Sequence, residues 1–130
     1  MLFAFLFTKG NAAPFLLLFF MFSLRSFRLS DIPIIFQIES SIQAYPWTEQ
    51  MFLDCLNSKQ YAGYILETEE SQPCAYLITQ SIIDECHILT IGVKKNMQKN
   101  GLAMQLLSFL IEHQKKVFHR ILLEVAESNI

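Results

Sequence analysis

Residues 93–107 read VKKNMQKNGLAMQLL, and no other stretch limits the fold as much. Upstream, residues 86–93 (CHILTIGV) have the β-branched, apolar character of a strand. Downstream, Leu102, Leu106, Leu107, Leu110 and Val117 recur at helical spacing, with Lys115 and Lys116 suited to the negative end of a helix over residues 100–117. Residues 120–126 are again strand-like. Strand, glycine-broken loop, helix and strand make a β-α-β crossover, whose two flanking strands lie parallel.

The preceding text supplies the rest of a mixed sheet. Residues 23–29 (SLRSFRL) read as a first strand. Ser30 or Asp31 then caps a helix with Pro33 in its first turn and an apolar stripe of Ile34, Ile35 and Ile38. Tyr45-Pro46-Trp47 is extended, because proline pushes its predecessor out of the helical region. Thr48 caps a second helix, with Glu49 in its first turn and Met51, Phe52 and Leu56 facing inward. Tyr61–Thr68 and residues 74–83 form a hairpin across the polar turn at residues 69–73, and Asp84-Glu85 turns the chain into the next strand. The expected order is β-α-α-β-β-β-α-β, an α/β (α+β) fold in which a meander passes into the crossover.

Composition removes several function classes. A net charge of −2 gives no basic face for nucleic acid. Cys55, Cys74 and Cys86 contain no C-x-x-C pair, and His87, His113 and His119 have no ligand spacing, so no metal site is expected and the thiols read as reduced and mostly buried. Cys86 and His87, adjacent on a strand, point to opposite faces and cannot form a dyad.

The first 23 residues are set apart as a hydrophobic head. Its longest apolar run, residues 12–22, has 11 residues, about half of the roughly 20 needed to span a bilayer. Lys9, Gly10, Asn11 and Pro14 break the head, and the charge order of a signal peptide is missing. Membrane anchor, uncleaved signal and extension upstream of the true start are the three readings. The third is preferred, so membrane contact by residues 1–23 is not the favoured expectation.

Gly101 sits where a loop becomes a helix. The first N–H groups of a helix lack intrahelical partners and carry partial positive charge, which suits phosphate. Gly101 admits close backbone approach, small Ala103 leaves room above the first turn, and Lys94, Lys95 and Lys99 add charge. A simple turn glycine in a solvated basic loop is the competing reading. G-x-x-x-x-G-K-[ST] is absent, and so are the further glycines of a dinucleotide fingerprint.

Residues 93–107 resemble the acetyl-CoA loop of the GCN5-related N-acetyltransferases, V-x-P-x-x-[QR]-x-x-G-[LIV]-[GA]-x-x-L-[LM]. The resemblance extends through RLSDI (28–32), YPWTE (45–49), AYLITQ (75–80), Asp84-Glu85 and LEV through Ser128-Asn129, covering residues 24–130. The combination of P-W-[ST] with L-E-V-x-x-S-N is similar to the branch that acetylates the N-terminal alanine of a small-subunit ribosomal protein in the cytoplasm. Lys95 stands for the usual loop proline, Lys99 for arginine, Ala103 for the second glycine and Ala126 for the arginine after L-E-V.

This resemblance implies direct attack of a free amine on the acetyl-CoA thioester, with no metal and no covalent enzyme intermediate. Ile91, Gly92 and Val93 would hold the pantetheine arm, with an N–H near the thioester oxygen. Lys99, Asn100, Gly101, Leu102, Ala103 and Met104 would cradle the pyrophosphate, and Asn129 would touch the cofactor near splayed strand ends. Glu124 would be the general base, and Tyr45 and Trp47 would lie near the peptide opening, their competing role being that of core or loop anchors. The family continues beyond S-N into a helix bearing a tyrosine proposed as general acid, whereas this sequence ends at Ile130. An inactive truncated remnant, with acetyl-CoA binding either kept or lost, is therefore the alternative expectation, with the last strand left as a bare edge.

Overall fold

The computed structural model describes residues 2–8 and 22–125, with residues 2–8 and 124–125 described as backbone only. In chain order these are β1 (Leu2–Thr8), β2 (Phe22–Ser26), α1 (Ile32–Ile42), α2 (Glu49–Leu56), β3 (Tyr61–Thr68), β4 (Pro73–Ile82), β5 (Glu85–Val93), α3 (Leu102–Gln114) and β6 (Arg120–Val125). Short 3-10 turns occupy Leu29–Asp31 and Lys95–Met97. From β2 onward the order is the one expected from the sequence.

One sheet runs β1-β6-β5-β4-β3-β2. Its pairs are antiparallel except β5–β6, the parallel pair that the crossover through α3 requires. The expectation of a bare β6 edge is corrected. β1, from the head of the chain, pairs along β6 with Phe3 opposite Glu124 and Phe5 opposite Leu122. Exposed strand edges carry unpaired N–H and C=O groups, so an available extended apolar segment satisfies them.

The sheet is covered on both faces. Ile35 and Ile38 of α1 and Phe52 of α2 pack with Ile65, Tyr76 and Ile78 on one face. Leu102, Leu106 and Leu110 of α3 pack with Leu66, Leu77, Cys86, Ile88 and Ile121 on the other. Arg25 ties β2 down: both of its terminal nitrogens donate to the Asp31 carboxylate, at 2.8 and 2.7 Å, and its Nε donates to Glu67 at 2.9 Å. Asp31 is spent on this bond and on the Arg28 N–H, so it stands at the start of α1 without capping it.

Two inward assignments are corrected. Met51 is exposed because Phe52, about 100° further round this short helix, takes the inward position. Val117 is exposed because α3 ends at Gln114; the Gln114 carbonyl accepts from the N–H groups of Val117 and Phe118, and Phe118 enters the core instead. Among the described residues no helix is long and apolar enough to cross a membrane.

Candidate active site

A fault in β5 creates the site. Ile78 pairs with Thr90 and Thr79 with Ile88, so Leu89 is an extra residue on β5 and forms a bulge. The bulge reverses the side-chain alternation. Ile88 faces α3, while Thr90 faces α1 and reaches Glu39. The parallel pairing of β5 with β6 also ends here, at Ile88 opposite Leu123. Among the described residues the two strands make no further ladder, and residues 91–93 border an opening.

A cavity of about 440 Å³ occupies that region. Ile91, Gly92 and Val93 form one wall, and Lys99, Gly101, Leu102, Ala103 and Met104 form the other, so eight of the expected cofactor-binding residues meet at one place. Asn100 does not line it; its side chain donates to the Met97 carbonyl and holds the loop closed. Three lining residues were not anticipated: Ile42 and Gln43 at the end of α1, and Gln98. Gln98 donates to the Val93 carbonyl at 3.1 Å, and Gln43 donates to the Ile91 carbonyl at 3.1 Å, joining α1 to the cavity wall.

The loop geometry explains the glycine. Gly101 has φ +79° and Lys99 φ +67°, both left-handed. Gly101 is the N-cap of α3 and offers no side chain to the first turn, which contains no acidic residue. The amides of Leu102, Ala103 and Met104 therefore have neither an intrahelical nor a capping partner where the helix meets the cavity. Helix dipole, free amides and the Lys99 charge together suit an anion.

Below this wall lies a buried carboxylate that sequence reasoning missed. Glu39 of α1 is 1% exposed. Its Oε1 accepts from the Tyr76 hydroxyl at 2.5 Å and from the Thr90 hydroxyl at 2.9 Å, and its Oε2 accepts from the Trp47 N–H at 2.9 Å. Burial first, and the Glu39 carboxylate second, push the Tyr76 phenol far above its usual range, so it stays a proton donor to Glu39. The signal was available in the sequence. Glu39 stands at i+4 from Ile35 and next to Ile38, inside the apolar stripe, where a solvated glutamate has no place.

Trp47 and Tyr45 separate. Trp47 stands against Phe52 with ring centroids 5.2 Å apart, and lines a second cavity of about 240 Å³ with Met51, Asp54, Cys55, Tyr61 and the bulge residue Leu89. Tyr45 is 94% exposed and lines neither cavity. Glu124 lies in β6, one residue past the last parallel pair; its side chain and the whole of Asn129 fall outside the described residues. Cys74 and Cys86 are buried, and burial pushes both thiols up to about 11, which removes them as nucleophiles at neutral pH. Among the described residues no group of three His, Cys, Asp or Glu side chains could hold a metal ion.

A bulged strand, a described parallel ladder that stops at the bulge and a bare helix start around one cavity define an acyl-transferase type of cleft. The profile of the acetyltransferase (GNAT) family matches residues 24–130, and the chain belongs to that family. It is 32% identical over 108 residues to the [ribosomal protein bS18]-alanine N-acetyltransferase of Escherichia coli K12, covering 82% of this chain and 72% of the relative. A putative protein of the same name from Bacillus subtilis is 30% identical over 108 residues, with the same coverage. The crystal structure of the ribosomal-protein-S18-alanine N-acetyltransferase from Escherichia coli superposes with a TM-score of 0.75 at 31% identity, over 84% of this chain and 70% of that one. A GNAT family acetyltransferase from Staphylococcus aureus, at 19% identity and TM-score 0.70 over 84% and 90%, shares the fold.

Proposed function

We propose that this chain is a peptide α-N-acetyltransferase that moves an acetyl group from acetyl-CoA to the N-terminal alanine of a small-subunit ribosomal protein. The observation that carries the reading is the cavity between residues 91–93 and the uncapped start of α3. It has a basic, amide-rich end for a pyrophosphate and an extended strand edge for an amide-bearing arm. Acetyl-CoA would supply the activated acetyl group as a thioester. Lys99 and the amides of residues 102–104 would hold its diphosphate, and residues 91–93 would align its arm.

The acceptor would approach through the Trp47–Leu89 cavity, on the α1–α2 side of the bulge. An α-amine has a pKa of about 7.7–8.0 and a lysine side chain about 10.4, so near neutrality far more of the α-amine is already unprotonated. A base is then needed only as attack makes the nitrogen acidic, a task within the reach of a carboxylate. Glu124, one residue past the described parallel pairs of β6, is assigned that role on the strength of the L-E-V motif and the register.

The test is twofold. Acetyl-CoA at about 100 times its Kd should stabilise the purified chain by about 2.7 kcal/mol, an upward shift of several degrees in Tm. An alanine-first peptide should then be acetylated in preference to the same peptide with a blocked α-amine and a free lysine. A shift without turnover would leave a cofactor-binding chain with no transferase activity. No shift would overturn the cofactor site itself.

A further inference from the structure

The Glu39 carboxylate joins two parts of the site that are otherwise separate. On one side is the Trp47 loop, between α1 and α2, which walls the smaller cavity. On the other is β5: Thr90 reaches Glu39 directly, and Gly92 sits over the Tyr76 hydroxyl that also reaches it. We propose that Glu39 is a positioning residue for the acceptor, holding the Trp47 loop at a fixed distance from the segment of β5 that receives the acetyl donor. The inference rests on the transferase reading above and deepens it.

The three bonds are unequal in what they can move. β5 is laddered to β4 over eight residue pairs, so Thr90 is fixed whether or not it meets Glu39. Tyr76 is likewise fixed, within β4 and fully buried. Trp47 belongs to no helix or strand. Its backbone is held by the bond to Glu39, and its ring by Phe52. Loss of the carboxylate therefore frees the loop and leaves the strand in place. The acceptor side should suffer and the donor side should not.

Glutamine separates a positioning role from a need for charge. Its amide oxygen can accept from the Trp47 N–H, and its NH2 can donate to the Tyr76 and Thr90 hydroxyls, which turn to accept. E39Q should therefore retain the loop, whereas E39M fills a similar volume and offers no acceptor. The chain contains one tryptophan, so its fluorescence reports on this loop alone.

The experiment measures steady-state kinetics with an alanine-first peptide, acetyl-CoA binding, and Trp47 anisotropy for wild type, E39Q and E39M. E39M should raise the peptide KM about tenfold or more, the scale of a lost hydrogen bond to a charged group. Acetyl-CoA Kd should stay within about twofold, Trp47 anisotropy should fall, and E39Q should restore all three to near wild type. If E39M does not fold, the double variant Y76F/T90V frees the carboxylate from the sheet while keeping its bond to Trp47, and should move the peptide KM in the same direction. Equal losses in peptide KM and acetyl-CoA Kd, or an unchanged peptide KM in a folded variant, would overturn the inference alone. A wild-type chain that binds acetyl-CoA but acetylates no α-amine would overturn the transferase reading and the inference together.

Discussion

A Cβ placed on Gly92 would stand 2.3 Å from the Tyr76 hydroxyl oxygen, closer than any real side chain is found. The sequence gives Gly92 a cofactor role only through family resemblance, yet the glycine is also required from beneath. The Tyr76 ring occupies the space of the missing side chain in order to bring its hydroxyl to Glu39. G92A must therefore push apart β4 and β5 or break the bond to Glu39. It should lower Tm by several degrees, about 1–3 kcal/mol for an overpacked site, and weaken acetyl-CoA binding at the same time. Because the Tyr76 ring edge clashes along with its hydroxyl, the paired change is Y76L, which removes all three close atoms: G92A should then cost less stability in thermal denaturation than it does beside Tyr76, whereas a purely ligand-facing role for Gly92 predicts the same cost in both backgrounds.

Gly101 and Lys99 test the loop differently, because both have positive φ but only one is glycine. G101A should cost about 1 kcal/mol of stability from left-handed strain alone and place a methyl group at the cavity wall. K99G removes strain and charge together, so it should leave Tm unchanged or raised while weakening acetyl-CoA severalfold. The weakening should shrink as salt is added, since the charge acts on a solvent-exposed anion. Calorimetric titration at two ionic strengths checks both.

These residues also show what the sequence could and could not tell. The turn at Gly101 was legible because its chemistry is local: a strand end, a glycine and an apolar-periodic helix within 22 residues, from Val93 to Gln114. The meander and crossover followed from periodicity and turn residues for the same reason. The Glu39 network was not legible, because Tyr76 and Thr90 lie 37 and 51 positions away and neither is unusual in a strand. What could be read was only that Glu39 interrupts an apolar stripe. The bulge at Leu89 was equally hidden, since a β-bulge is a relation between two strands. The pairing of β1 with β6 joins the two ends of the chain and leaves no local mark. Met51 and Val117 were misplaced by extending helical periodicity to a helix of eight residues and past a helix end.

Asp31 makes a prediction for acid stability. Burial raises its carboxyl, but bonds from Arg25 and the Arg28 N–H outweigh this, and the net shift is downward. A carboxylate whose folded pKa lies below its unfolded value, about 3.9, stabilises the fold above that value. The contribution fades as pH falls through the folded pKa. Stability should therefore decline below about pH 4, and D31N should be less stable at neutral pH with a flatter acid limb. Chemical denaturation at a series of pH values from neutral to acid compares the two slopes; parallel limbs would remove Asp31 from the acid transition.

The assignment of Glu124 is the most direct to test. In β6 it stands opposite Phe3 of β1 and immediately beyond Leu123, the last of the described residues paired with β5. That register, one residue past the described parallel pairs, is what supports the assignment. E124Q keeps the shape of the side chain and cannot take a proton. Loss of a general base typically lowers turnover by about 10²–10⁴-fold, so kcat with an alanine-first peptide should fall into that range. Acetyl-CoA Kd and Tm should remain near wild type, because glutamine is tolerated on a strand and the expected donor contacts lie on β5 and α3. In wild type and E124Q alike, the rate should fall as pH is lowered through the α-amine's range of about 7.7–8.0. Unchanged kcat in E124Q, measured beside an active wild type, would assign the proton to another group and leave Glu124 a strand residue.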